Sequence, residues 1–170
     1  MAMDSGWASD RGDTNVKIRV LTISDRASRG EYEDLSGQEV ERVLREGLDD
    51  PDVSRKIVSD EPWDIEQAFL ESLDCDVIVT TGGTGLSPRD HTPEITERVC
   101  DRLIPGISEA LRAYSLTQTP QAMLSRALSG IKGSTLIINL PGSVNGARLC
   151  TEWLLPVLPH ARKMIAGEGH

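Results

Sequence analysis

Aromatic side chains are scarce in this chain of 170 residues: three Trp, two Tyr and one Phe, or 4% of the total. Aliphatic side chains must therefore fill the core, and an aromatic stacking platform is not the expected binding device. Basic charge is short as well. Eighteen Lys and Arg stand against 27 Asp and Glu, for a net charge of −9. No basic field exists to neutralise phosphates, which argues against nonspecific nucleic-acid binding. The same acidity raises a problem for any anionic substrate: local arginines, helix N-termini or bound Mg²⁺ would have to invert the field at the site. Cysteine is limited to Cys75, Cys100 and Cys150, far apart and without CxxC spacing. That fits neither a zinc signature nor a full set of disulfides, and reads as reduced thiols in a cytoplasmic protein. No apolar run approaches membrane-spanning length and the start lacks a signal-peptide core, so no membrane partner is expected.

What is present describes one globular domain. Hydrophobic residues make up 38% of the chain, and 170 residues can bury a sizeable core. Residues 1–15 are polar and aperiodic and read as a flexible leader, leaving 16–170 as the folded unit. Periodicity predicts strands over 16–24, 55–59, 77–80 and 134–140. It predicts helices over 36–48, 62–73 and 92–103, a restart after Pro105-Gly106, a short helix over 120–128 and a last helix from Ser143, interrupted near Pro156 and Pro159. A polar loop is expected over 25–35, with a capping box at 36–39 (SGQE) and Thr92 as a helix cap. Trp63 and Trp153 lie beside apolar helix faces and read as packing residues. Strands alternating with helices predict a mostly parallel sheet covered on both faces.

The richest stretch is TTGGTGLSPRDHTPE at 80–94. A buried strand feeds a glycine-rich turn, and Thr92-Pro93-Glu94 opens a helix. In parallel α/β folds ligands bind at the carboxyl ends of strands, and glycines there let backbone N–H groups approach an anion. The turn is neither a Walker loop nor a dinucleotide GxGxxG fingerprint, and a tight turn alone would also explain it. Asp90 suits a Mg²⁺ ligand or an aligner of a reacting phosphate, against the plainer reading of a loop acid. Mg²⁺ takes one or two carboxylates plus substrate oxygens, so a second acid is expected nearby. Asp60, just past a strand, is the candidate, with Glu61 beside it. Ser24-Asp25-Arg26 and Asn139-Leu140-Pro141-Gly142-Ser143 also follow strands, so four strand ends carry polar residues or glycines on one edge. Arg89 could face a phosphate or pair with a surface acid. His91 reads as structural.

Six segments together carry a family resemblance: LTISD at 21–25, DLSG at 34–37, TGGTG at 81–85, PRDHTPE at 88–94, MLSR at 123–126 and NLPGS at 139–143. The chain resembles the molybdenum-cofactor biosynthesis family of molybdopterin adenylyltransferases, which includes the gephyrin G-domain and the bacterial Mog and MoaB proteins. The resemblance implies a three-layer α/β/α sandwich with a mostly parallel central sheet, assembled as a homotrimer. It implies Mg²⁺- and ATP-dependent transfer of AMP to the terminal phosphate of molybdopterin, with pyrophosphate released. It further implies hand-off of the product to a molybdate-insertion protein. By position, Asp60 and Asp90 become the catalytic and metal-binding acids. Gly82, Gly83, Thr84 and Gly85 would hold nucleotide phosphates. Ser24, Asp25, Ser87, Arg89, Ser125, Asn139, Pro141, Gly142 and Ser143 would line the nucleotide and pterin pocket. Many relatives follow Pro-Gly-Ser with Pro-Lys, whereas this chain has Val144-Asn145 and so one positive charge fewer at the substrate edge. The alternative reading is a non-catalytic molybdopterin carrier of the same fold, and the intact acids favour the enzyme.

Overall fold

The structure is a computed structural model that describes residues 15–168. The expected leader, Asn15 apart, lies outside the described residues. β1 (Lys17–Ile23), β2 (Asp52–Val58), β3 (Val77–Thr81), β4 (Arg102–Leu103), β5 (Ser129–Lys132) and β6 (Thr135–Leu140) form one sheet in the order β2-β1-β3-β6-β5-β4. The first four strands in that order run parallel; β5 pairs antiparallel with β6, and the edge strand β4 pairs antiparallel with β5.

Side chains alternate across the sheet and split the core into two layers. Ile18, Val20, Val77, Val79, Leu136, Ile138 and Leu140 face one side. There they pack on α2 (Leu35–Gly47), α5 (Pro105–Leu116), α6 (Val144–Leu154) and α7 (Leu158–Ile165), through Leu44, Leu111, Leu154 and Leu158. Leu21, Ile23, Ile78 and Ile137 face the other side, against α3 (Pro62–Glu71) and α4 (Thr92–Val99). Phe69, the single phenylalanine, is fully buried in that second layer. The fold is thus the expected helix–sheet–helix arrangement.

Several expectations differ from what the chain does. The helix expected over 92–103 stops at Val99, and Arg102–Leu103 instead pairs with Gly130 and Ile131. A Cβ on Gly130 would sit 2.6 Å from the Arg102 carbonyl and 2.7 Å from the Cys100 sulfur, so only glycine admits this close ladder. The helix expected over 120–128 is a 3₁₀ turn, Pro120–Leu124, followed by an extended segment leading into β5. The loop expected over 25–35 contains one helical turn, α1 (Asp25–Ser28), capped by Ser24 Oγ, which accepts from the Ala27 N–H at 3.2 Å. The cap of α2 is Asp34, accepting from the Gly37 N–H at 2.8 Å, so the expected box at 36–39 lies inside the helix. His91, not Thr92, holds the cap position of α4, without a side-chain bond. Trp63 is 68% exposed, because it sits two residues, about 200° of helix, from the buried Ile65. Trp153 does pack: it stacks on Tyr114 with ring centroids 4.6 Å apart, tying α6 to α5.

Candidate active site at the carboxyl edge of the sheet

Register places the four parallel strand ends side by side. Ile23 pairs with Val58, Thr22 with Thr81, and Thr81 with Leu140. Ser24-Asp25, Asp60, the 82–85 turn and 141–143 therefore emerge along one rim, as the strand order requires.

The turn itself is built by its neighbours. Gly82 and Gly83 have φ of 99° and 67°, the left-handed region where a side chain is strained. A Cβ on Gly82 would lie 2.3 Å from the Ile23 carbonyl, and Gly142 approaches so closely that its own Cβ would be 3.3 Å from the Gly82 Cα. Every carbonyl of the turn is tied back to the protein. Gly82 O accepts from Thr92 Oγ1 at 3.0 Å and Gly83 O from the Thr92 N–H at 3.2 Å. Thr84 O accepts from the Arg126 N–H at 2.9 Å and Gly85 O from Arg126 Nε at 2.8 Å. The N–H groups of Gly83, Thr84 and Gly85 find no acceptor among the described residues. A loop whose carbonyls are spent and whose N–H groups are not leaves those N–H groups available to solvent or to an anion.

Arg126, which the sequence did not single out as a site residue, holds this turn in place. Besides the turn, its Nη2 donates to the Asp90 carbonyl at 2.9 Å and its Nη1 pairs with Glu94. One side chain thus spans the loop from Gly85 to Asp90. The MLSR segment was visible in the sequence, but nothing local told that its arginine reaches a loop some forty residues earlier.

The acids form a coupled set. The Asp25 N–H donates to Asp60 Oδ2 at 2.8 Å, and the Asp60 N–H donates to Asp25 Oδ1 at 2.9 Å. Arg89 contacts Asp25 at 2.9 Å and Glu61 at 2.9 Å, so it is engaged by acids as the surface-pair reading expected. The hydrogen bond from the Asp60 backbone, aided by Arg89, holds the Asp25 carboxyl below its ordinary value. Burial pushes the Asp60 carboxyl up, and the charges of Asp25 and Asp90 push it further. Asp90 Oδ2 accepts from the Ser87 N–H at 3.0 Å, and a Cβ on Gly85 would crowd the same oxygen at 2.9 Å. Asp60 and Asp90 are therefore close enough to sense each other, and each is half-exposed at the rim. Among the described residues no cluster of three or more His, Cys, Asp or Glu is arranged to hold a metal. Two carboxylates are a donor set that fits a Mg²⁺ completed by substrate oxygens.

Two cavities flank the Gly82–Gly142 contact. The larger, about 590 Å³, lies between the turn, α5, the 3₁₀ turn and the start of α6. Gly83, Thr84, Gly85, Asp90, Ser125, Asn139, Pro141, Gly142 and Ser143 all border it, which brings together nine of the residues expected at the site. Asn139 spends its amide inside the fold, on Thr80 Oγ1 at 3.1 Å, Thr96 Oγ1 at 2.9 Å and the Leu128 N–H at 3.1 Å. Ser143 Oγ caps α6 by accepting from the Gly146 N–H at 3.2 Å. The smaller cavity, about 200 Å³, is bordered by Ser24, Gly82, Gly142 and the buried Thr22, whose hydroxyl has no partner among the described residues. Asp25, Asp60, Ser87 and Arg89 border neither cavity.

The family described as a probable molybdopterin binding domain matches residues 19–160. A molybdopterin adenylyltransferase of Helicobacter pylori is 46% identical over 156 residues, covering 89% of this chain and 89% of that protein. The molybdopterin adenylyltransferase of Escherichia coli K12 is 41% identical over 131 residues, 75% of this chain and 67% of that protein. Among solved structures, the molybdopterin biosynthesis enzyme MoaB of Thermus thermophilus superposes with a TM-score of 0.82 at 44% identity, over 89% of this chain and 97% of that one. The tungsten cofactor synthesizing protein MoaB of Pyrococcus furiosus gives 0.78 at 33% identity, over 89% and 99%.

Proposed function

The chain belongs to the molybdopterin binding domain family, and we propose that it is a molybdopterin adenylyltransferase of molybdenum cofactor biosynthesis, using ATP and Mg²⁺. The observation that carries this reading is the turn at 82–85, with its carbonyls tied back and its N–H groups unspent, set between two cavities and beside Asp60 and Asp90. Two cavities on one rim give room for two substrates; Asp90 borders the larger one, and Asp60 stands on the same rim outside both.

In the proposed reaction the terminal phosphate oxygen of molybdopterin attacks the α-phosphorus of ATP. One P–O bond forms, the bond to the β-phosphate oxygen breaks, and pyrophosphate leaves. A phosphate monoester is already a nucleophile, so the protein need supply no strong base. Its task is to hold two mutually repelling anions in line. The N–H groups of Gly83 to Gly85 would bind phosphate oxygens, and Thr92 and Arg126 would keep that loop from reorganising. Asp60 and Asp90 would hold Mg²⁺, which when bound neutralises charge on the phosphates. The reading extends to a homotrimer and to a molybdate-insertion protein as recipient of the product. The test is pyrophosphate release from ATP and Mg²⁺ with and without purified molybdopterin. Release should require the pterin. Tight pterin binding without release would make the chain a carrier instead.

A further inference from the structure

An acidic protein that binds two anions needs cationic groups at the rim, and most of its nearby arginines are already spent. Arg89 is held by Asp25 and Glu61. Arg126 is held by loop carbonyls and Glu94. Arg148, on α6, pairs with Glu152 at 2.7 Å and Asn145 at 2.8 Å. Arg26 lies over the Tyr32 ring, 5.4 Å from its centroid. Arg112, on α5, is different. It is half-buried and, among the described residues, is the one cationic side chain bordering the larger cavity, where Asp90 is the one acid. Its Nη1 donates to two backbone carbonyls, Ser125 O at 3.1 Å and Ala127 O at 3.0 Å. A guanidinium Nη1 carries two hydrogens, so those bonds use both. The opposite edge, Nε–H and Nη2–H, has no hydrogen-bond partner among the described residues. It is also the edge that binds two oxygens of one anion side by side.

From this we propose that Arg112 is an oxyanion-binding residue of the larger cavity, taking one substrate phosphate on its Nε/Nη2 edge. The Ser125 and Ala127 carbonyls fix the plane of the guanidinium before ligand arrives, so little side-chain entropy is lost on binding. The cavity surface is mainly apolar, with Leu111, Leu124 and Ala127 among its lining, which strengthens the interaction beyond its value at an open surface. This inference rests on the adenylyltransferase reading for the identity of the phosphates, which belong to either the nucleotide or the pterin.

Calorimetric titration of ATP, inorganic pyrophosphate and molybdopterin into the wild-type protein, Arg112→Gln and Arg112→Lys tests it. In Arg112→Gln, affinity for one phosphate source should fall about tenfold to hundredfold while the other is nearly unchanged. Loss for ATP and pyrophosphate assigns the edge to the nucleotide, and loss for molybdopterin assigns it to the pterin phosphate. Arg112→Lys keeps the charge but not the fork, and should recover only part of the loss. A general loosening of the cavity would weaken both ligands alike and overturns the proposal. So does unchanged affinity for all three in a folded Arg112→Gln protein. If Arg112→Gln does not fold, Arg112→Lys decides, and wild-type affinity there overturns the fork. Wild-type protein that binds ATP through Arg112 yet makes no adenylylated pterin would sink the reaction and leave the fork standing. Product formed at unchanged KM in Arg112→Gln would do the reverse.

Discussion

At the residue scale, Asp60 shows a conflict between stability and chemistry. Its carboxyl is raised above the ordinary 3.8, chiefly by burial. The folded chain therefore holds that proton more tightly than the unfolded chain. Ionising Asp60 costs stability as pH rises through the interval above 3.8, and that cost persists at neutral pH. Asp60→Asn removes the cost and can still accept the hydrogen bond from the Asp25 N–H. It should keep or raise the melting temperature at pH 7 while lowering turnover about a hundredfold or more. Thermal melts and initial rates on the same preparation check both halves; a variant that loses stability and keeps activity contradicts the assignment. The same direction of shift puts the acid limb of the kcat/KM profile, which reports the free enzyme, above the ordinary Asp value of 3.8, since a protonated Asp60 no longer binds a cation. Asp25 behaves oppositely. Its lowered carboxyl adds stability that is present above 3.8 and lost only as pH falls through a lower range. These acids were legible as candidates because each directly follows a strand. Their mutual backbone bonds were not, because Asp25 and Asp60 are 35 residues apart and no local pattern encodes such a pairing.

At the scale of elements, the sequence displayed the parallel strands and the amphipathic helices clearly, since buried runs such as 77–80 and 135–140 have no other use. It hid β4 and β5. The Ile95, Val99, Leu103 spacing mimics a helix that ends at Val99, and Gly130 marks a strand only once its neighbour's carbonyl is seen at its back. It also hid the strap from Ser125 to Leu128, which carries the clamp on the 82–85 turn. Arg126→Ala would release Gly85 O and Asp90 O together. Hydrogen bonds from a charged donor contribute roughly 1.5–3 kcal/mol each, less where solvent can replace them, so a stability loss of about 2–3 kcal/mol is expected. Turnover should fall further than stability explains, about tenfold or more, because Asp90 and the loop N–H groups lose their fixed positions. Hydrogen exchange would then rise at the hydrogen-bonded amides of Ser87, Asp90 and Thr92 while β1 and β3 stay protected. Uniform loss of protection would assign Arg126 to general stability alone.

At the scale of the whole molecule, a chain of net charge −9 is poorly suited to attract anions from afar, so under the proposed function its site would depend on local devices: unspent backbone N–H groups, the start of α6, arginine edges and a substrate-borne cation. No helix among the described residues is long and apolar enough to cross a membrane. Large apolar side chains nevertheless remain on the surface, including Leu86, Met123 and Leu124 near the larger cavity and Val157 beyond α6. Contacts between copies would cover some of them, in keeping with the proposed homotrimer. Light scattering should give three times the 18.6 kDa chain mass, and a monomeric mass at micromolar concentration would contradict it.

The most direct measurement follows the α-phosphorus. With ATP labelled at that atom, molybdopterin and Mg²⁺, the label should pass to the pterin in a one-to-one ratio with pyrophosphate, and Asp90→Asn should abolish the transfer while leaving pterin binding in place. Label that stays on ATP with the pterin bound, or transfer at the wild-type rate in Asp90→Asn, would contradict an adenylyl transfer organised by this rim.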